Sequence, residues 1–174
     1  MAAGGTLIRI PRTSPSVFST PDDEHFIPAC MNNFRSRDRE DVSLWLLPDD
    51  PTERKRVLAA FAGRRSKAQT LSYLELQDDW FERLSIEPRQ VEDCETFDCV
   101  GRFHYEIRQP DEETLHSLAV EIQSALLQTP HLFQYLRTPV VRQLLQKAHA
   151  TCQGEGGPAY DVGKLPRWAV ELLE

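Results

Sequence analysis

The sequence predicts an α+β fold in which a small sheet of three or more strands is covered by four to five helices, with α/β as the alternative. Three observations lead to this prediction. Residues 42–48 and 70–77 have strand character, a capped amphipathic helix separates them, and residues 111–128 carry the strongest helical periodicity in the chain. With 174 residues, 40% hydrophobic and 27% charged, the chain has the length and composition of one globular domain.

Residues 1–24 are rich in Pro, Ser and Thr and have no hydrophobic period. Such a segment buries too little apolar area to offset its ordering entropy, so we predict a disordered tail over residues 1–24 and a single globular α+β domain over residues 25–174. Residues 6–10, TLIRI, are a candidate short strand or linear docking motif. Ser14-Pro15 and Thr20-Pro21 match the pattern of proline-directed phosphorylation.

The first two elements of the domain are a strand over residues 42–48 and a helix that follows it. Asp50 is the predicted N-cap, Pro51 occupies the first helical position, and Glu53 completes a capping box. A second strand over residues 70–77 follows the helix. The order strand, helix, strand predicts a right-handed βαβ unit.

The remaining elements follow the acidic middle of the chain. A short helical turn is predicted from residue 78, a third strand within residues 96–110, and a helix over residues 111–128 with acidic residues in its first turn. A short terminal helix is predicted from Pro166.

Thr-Pro occurs twice after the long helix, at residues 129–130 and 138–139. The residue before a proline is pushed out of the α region, and a threonine can cap a helix that starts at the proline. Each Thr-Pro is therefore expected to end one helix and begin another. The prediction is a two-turn helix near residues 130–137 and a further helix near residues 139–151.

The distribution of charge marks the same region. Net charge is −7, and residues 75–113 hold four Arg against thirteen Asp and Glu, whereas residues 122–154 contain no Asp or Glu. An apolar, acid-free segment can pack against the acidic part of its own chain or against a partner. The residues that we predict to contact a partner are Phe133, Tyr135, Val141 and Leu145.

No catalytic motif, phosphate-binding loop or zinc-hydrolase motif is present. The enzymatic alternative is a site at the strand ends, where His104, Glu75 or Cys99 would converge. A zinc site is the other alternative, but the ligand spacing does not favour it, and we predict no metal and no cofactor. Its four candidate ligands are Cys94, Cys99, His149 and Cys152.

These observations together predict a non-enzymatic protein-interaction module, such as an adaptor, assembly factor or regulatory subunit, that docks a protein partner or a second copy through residues 126–148. A small enzyme and a zinc- or nucleic-acid-binding protein are the alternatives. The acidic net charge disfavours nucleic acid, and no apolar run is long enough for a membrane span. The N-terminal sequence lacks the apolar core of a secretory signal, so we expect a cytoplasmic or nuclear protein that is not secreted.

Overall fold

The structure is a computed structural model that describes residues 4–11, 15–35, 41–63, 65, 68–91, 101–153 and 165–174. It contains six strands and six α-helices among these residues, which confirms the α+β prediction and enlarges the expected sheet. The strands are β1 Gly5–Arg9, β2 Val42–Pro48, β3 Leu71–Leu76, β4 Arg89–Gln90, β5 His104–Ile107 and β6 Phe133–Leu136. The helices are α1 Phe26–Phe34, α2 Pro51–Gly63, α3 Asp78–Arg83, α4 Glu112–Gln128, α5 Thr138–Gln153 and α6 Arg167–Leu173.

The strands form one sheet in the order β4-β5-β2-β1-β3-β6. β1 and β3 pair antiparallel with Leu7 opposite Leu76, and β4 and β5 pair antiparallel with Arg89 opposite Glu106. β1 therefore lies between β2 and β3, so the two strands of the predicted βαβ unit are not neighbours. The sequence analysis offered residues 6–10 as a candidate short strand but did not place that strand in the sheet.

The sequence predicts a tail over residues 1–24, and the residues of this range that the structure describes include a strand and a 3₁₀ helix. β1 occupies the interior of the sheet, and residues 15–19 form a 3₁₀ helix whose Phe18 is buried. Ile8 is completely buried, and the charged Arg9 is buried beside it on the strand. The Arg9 guanidinium donates to the backbone oxygens of Ser43 and, at 2.7 Å, of Asn33, so the buried charge has hydrogen-bond acceptors.

Contacts divide the chain into two compact units. The first comprises Met1–Leu46, Ser72–Gln90 and Tyr105–Gln134, and the second comprises Leu47–Leu71, Val91–His104 and Tyr135–Glu174.

In the first unit, helices α1 and α4 pack on each other. The α4 helix begins at Asp111, whose carboxylate accepts a hydrogen bond of 2.8 Å from the backbone N–H of Thr114. This hydrogen bond lowers the pKa of Asp111. The helix buries one stripe, as its periodicity predicts: Leu115, Leu118, Ala119, Ile122 and Leu126. The predicted helix over residues 111–128 is therefore confirmed.

In the second unit, helix α5 packs against both α2 and α6. Asp50 caps α2 as predicted, because its carboxylate accepts from the N–H groups of Thr52 at 2.9 Å and Glu53 at 2.8 Å. The Glu53 carboxylate binds Arg56 and Arg102, each at 2.7 Å, and these contacts replace the expected capping box. The indole N–H of Trp168 on α6 donates to the backbone oxygen of Arg65 at 2.6 Å.

The first Thr-Pro ends α4, as predicted, but the element that follows it differs. Thr129 is the C-cap of α4 with φ −137° and makes no capping hydrogen bond through its side chain. Residues Pro130–Leu132 form a single 3₁₀ turn, and β6 replaces the predicted two-turn helix. Strand propensity of the FQYL segment and an available place beside β3 together override the local helix-start signal. The second Thr-Pro begins α5, close to the predicted position.

Candidate functional site

The four residues predicted to contact a partner lie in two different environments. Tyr135 is 56% exposed on β6, and Phe133 on the same strand is half-buried. Val141 and Leu145 are 1% and 0% exposed, since they face the packed side of α5 in the second unit. They hold α5 in place and are not accessible to a partner in the folded chain, whereas a contact through Tyr135 stays a prediction.

Of the large hydrophobic residues that the segment exposes, the sequence analysis selected Tyr135 alone. Four large hydrophobic side chains are exposed among the described residues, and three of them lie within residues 126–148: Leu127, Tyr135 and Val140. Val140 and Leu127 adjoin the buried Val141 and Leu126. Successive residues on a helix point about 100° apart, so the two members of each pair can lie in different environments.

β6 is the last strand of the sheet, and β3 is its one neighbour among the described strands. Its four residues, FQYL, contain neither a charge nor a proline. The side-chain amide of Gln134 donates to the backbone oxygen of His131 at 2.5 Å, which ties the strand to the 3₁₀ turn before it. β6 is therefore an edge strand that carries none of the usual residues that prevent pairing with another strand.

Aromatic packing in the first unit supports the start of β6. The rings of Phe133 and Phe18 lie 5.6 Å apart between centroids, and Phe18 makes an edge contact with Phe26 on α1 at 6.2 Å. Both Phe18 and Phe26 are buried. Phe133 is thus anchored on an aromatic cluster that begins in the region predicted to be a tail.

Basic side chains follow β6 directly. Arg137 and Arg142 are exposed, and neither forms an ion pair with any residue that the structure describes. No carboxylate belongs to the sequence between residues 122 and 154. The formal charge of this segment is therefore positive, which is the sign that attracts an acidic ligand.

The enzymatic alternative gains no support from the placement of its residues. His104 lies on β5 and Glu75 on β3, and both β1 and β2 separate these strands in the sheet. Neighbouring strands are about 4.8 Å apart, so the two side chains do not converge on one site. Cys99, the third candidate, lies outside the described residues.

A cavity of about 200 Å³ is present in the first unit beside α3. Leu7, Leu46 and Phe81 form its apolar wall, and carboxylates of Asp78, Glu82 and Glu87 also line it. It contains no histidine, cysteine or serine that could act as a nucleophile or base alongside these carboxylates.

The cysteines give no metal site in the described part of the chain. Within that part, no group of three or more His, Cys, Asp or Glu residues is arranged to hold a metal ion. Cys94, Cys99 and the Cys152 side chain lie outside it, so the zinc alternative with His149 stays untested. Cys30 on α1 is a buried free thiol, and desolvation raises its pKa to about 12, which suppresses the thiolate.

Among the helices in the described ranges, none combines the length and the hydropathy that crossing a membrane requires.

No protein-family model, curated protein sequence or solved structure matches this chain. The assignment of function therefore depends on the geometry of the residues above.

Proposed function

We propose that this chain is a non-enzymatic protein-interaction module, such as an adaptor, assembly factor or regulatory subunit, that docks a protein partner through residues 126–148. One observation carries the proposal. Three of the four large hydrophobic side chains that are exposed among the described residues belong to this segment. Tyr135 in particular combines an apolar ring with a hydroxyl, a combination that is enriched where proteins bind each other.

The packing of α5 supports this proposal because one face of the helix is buried in the fold and the opposite face is exposed. Val141, Leu145 and Ala148 are buried at a spacing that places them on one face. Val140 points away from that face and is 42% exposed. A helix fixed by its inner face presents its outer face with little conformational entropy left to lose on binding.

The test uses two matched variants. Tyr135→Thr with Val140→Gln removes the apolar contacts of the segment and keeps strand and helix propensity. Val120→Gln is the control, because Val120 is also on a helix, is 44% exposed and lies outside the segment. Neither change removes a buried group, so circular dichroism and the unfolding midpoint are expected to stay at wild-type values.

Proteins crosslinked to each form in cells are identified by mass spectrometry, and the strongest candidate is purified and titrated against all three chains. We expect the double variant to bind at least about tenfold more weakly, a loss of ~1.4 kcal/mol, and Val120→Gln to bind as the wild type does. Equal affinity of the double variant and the wild type would contradict the proposed docking segment. A wild type that captures no specific protein would contradict an interaction module altogether.

A further inference from the structure

The backbone hydrogen-bonding groups at the outer edge of β6 indicate which kind of partner segment the strand can bind. In a strand, alternate residues direct their N–H and C=O groups to opposite edges. One edge of β6 faces β3, and no described strand pairs with the other. The outer edge therefore offers backbone donors and acceptors to an extended chain, as in recognition by β-strand addition.

The side chains of β6 bear on whether a further strand can pair with this edge. Natural edge strands are protected by lysine, by proline, by bulges or by extreme shortness. β6 has neither a charge nor a proline, and its most exposed side chain is the aromatic Tyr135. An aromatic ring on an edge strand is well suited to pack on the side chains of an added strand.

Charge decides between a second copy and a different partner. Pairing of β6 with β6 of another copy would offer Arg137 and Arg142 no carboxylate from residues 122–154 of the other chain. A second copy therefore gives these arginines no charge complementarity within the paired segments. An extended segment with its own carboxylates meets these exposed arginines with complementary charge.

We infer that β6 binds an extended acidic segment of its partner as an added β-strand, with the partner's carboxylates beside Arg137 and Arg142. This inference rests on the proposed function, and it specifies both the mode of binding and the chemistry of the partner. It also assigns distinct roles within the segment: the backbone of β6 provides affinity, Tyr135 provides packing, and the two arginines select the charge.

The first experiment uses two synthetic peptides of equal length as probes. One alternates valine and threonine with glutamate, and the other has lysine in place of each glutamate. Fluorescence anisotropy is expected to show the acidic peptide binding at least about tenfold more tightly, with an affinity that falls as salt increases. Equal binding of both peptides would overturn the acidic selectivity, and no binding of the acidic peptide up to millimolar concentration would overturn the inference as a whole.

Two proline variants locate the binding at the free edge. Gln134 and Tyr135 are adjacent on β6, so only one of them directs its N–H outward. Proline at the outward residue removes a donor for the ligand, whereas proline at the inward residue removes a ladder hydrogen bond to β3. We expect one of Gln134→Pro and Tyr135→Pro to keep the wild-type unfolding midpoint and lose peptide binding at least about tenfold.

Hydrogen exchange of the wild-type complex gives a second readout that does not depend on a substitution. Alternate amides of β6 should gain protection with the acidic peptide, whereas protection at a different surface would overturn strand addition. Arg137→Glu with Arg142→Glu should reverse the preference between the two peptides, because the charge at the edge is reversed.

The outcomes for the inference and for the proposed function can be told apart. A cellular partner that is lost with Tyr135→Thr and Val140→Gln, but whose complex with the wild type gives no protection of the β6 amides in hydrogen exchange, keeps the docking segment and overturns strand addition. A dimer in size-exclusion chromatography that is abolished by the proline variant with the wild-type unfolding midpoint would mean that β6 pairs with a second copy, which overturns the acidic partner.

Discussion

The two edges of the sheet differ in length, charge and support. The β4 edge consists of Arg89 and Gln90, both exposed, and Pro88 precedes it. Arg89 forms an exposed ion pair with Glu87 at 3.2 Å. The β6 edge has four uncharged residues, and its first residue packs on the buried Phe18.

This difference indicates that the chain protects one edge and leaves the other available. A short strand with charge and a nearby proline is a poor template for pairing, and β4 combines all three features. β6 has four residues and contains neither a charge nor a proline, although Pro130 and Arg137 flank it and an unprotected edge promotes aggregation. An edge kept open at that cost is expected where the edge has a binding role, and each prediction below tests part of this comparison.

The largest effect is expected from Phe18→Ala, which removes the support of the β6 edge. Phe18 is buried between Phe26 and Phe133 in the first unit, and truncating such a ring leaves a cavity. We expect the free energy of unfolding to fall by ~3–5 kcal/mol, as measured by urea denaturation. Val120→Ala, on an exposed side chain, is the control and should change it by less than ~0.5 kcal/mol.

A result for Phe18→Ala close to that of the control would mean that residues 15–19 do not belong to the core. It would agree with the sequence prediction of a tail and leave β6 without aromatic support. The comparison between the edges would then depend on charge and length alone.

The reactivity of Cys30 tests whether the β6 side of the first unit is coupled to α1. Cys30 lies on the same helix as Phe26, and burial holds the pKa of its thiol at about 12 against an ordinary 9.0. In a chain with Cys94→Ser, Cys99→Ser and Cys152→Ser, a thiol reagent should label Cys30 slowly. Adding Phe18→Ala should accelerate labelling at least about tenfold, since each ~1.4 kcal/mol raises the open population tenfold.

The matched control is Arg89→Gln at the other edge, which should leave the labelling rate unchanged.

The raised pKa of Cys30 also determines how this thiol makes the free energy of unfolding depend on pH. Between pH 9 and about 12 the unfolded thiol loses a proton that the folded thiol keeps, so Cys30 makes the folded state less stable as pH rises through this range. Rapid labelling of Cys30 at neutral pH in the unaltered fold would show that α1 does not stay docked.

The strands and helices with clear local signals were predictable from sequence, and the elements that long-range contacts decide were not. The cap at Asp50 and the apolar period of α4 are local, and both were found. β1 was placed in a tail because five residues with a buried arginine carry little hydrophobic signal. Its place between β2 and β3 depends on pairing with residues far along the chain.

The sequence selects the candidate segment, but it does not determine which of the segment's side chains are exposed. The absence of acidic residues between residues 122 and 154 drew attention to the segment, and its two Thr-Pro pairs predicted where the helices are interrupted. The sequence could not identify the exposed residues, because Val140 and Val141 have the same side chain. Only packing against α2 and α6 decides which of the two is buried. α1 was missed because Pro28 disrupts its sequence pattern, although a proline in the first turn leaves no helical hydrogen bond unmade.

The smallest effect is expected from Glu87→Gln with Arg89→Gln, which removes the charges from the β4 edge. This ion pair is exposed, so the free energy of unfolding should change by less than ~0.5 kcal/mol in urea denaturation.

The informative measurement on this variant is hydrogen exchange in the presence of a neutral peptide of valine, threonine and glutamine. If charge alone protects β4, the amides of the uncharged variant should now gain protection. We expect none, because alternate residues of a two-residue strand face opposite edges and leave a single residue to pair with a ligand. The same peptide should protect β6 weakly in both chains, and new protection at β4 would show that charge, and not length, distinguishes the two edges.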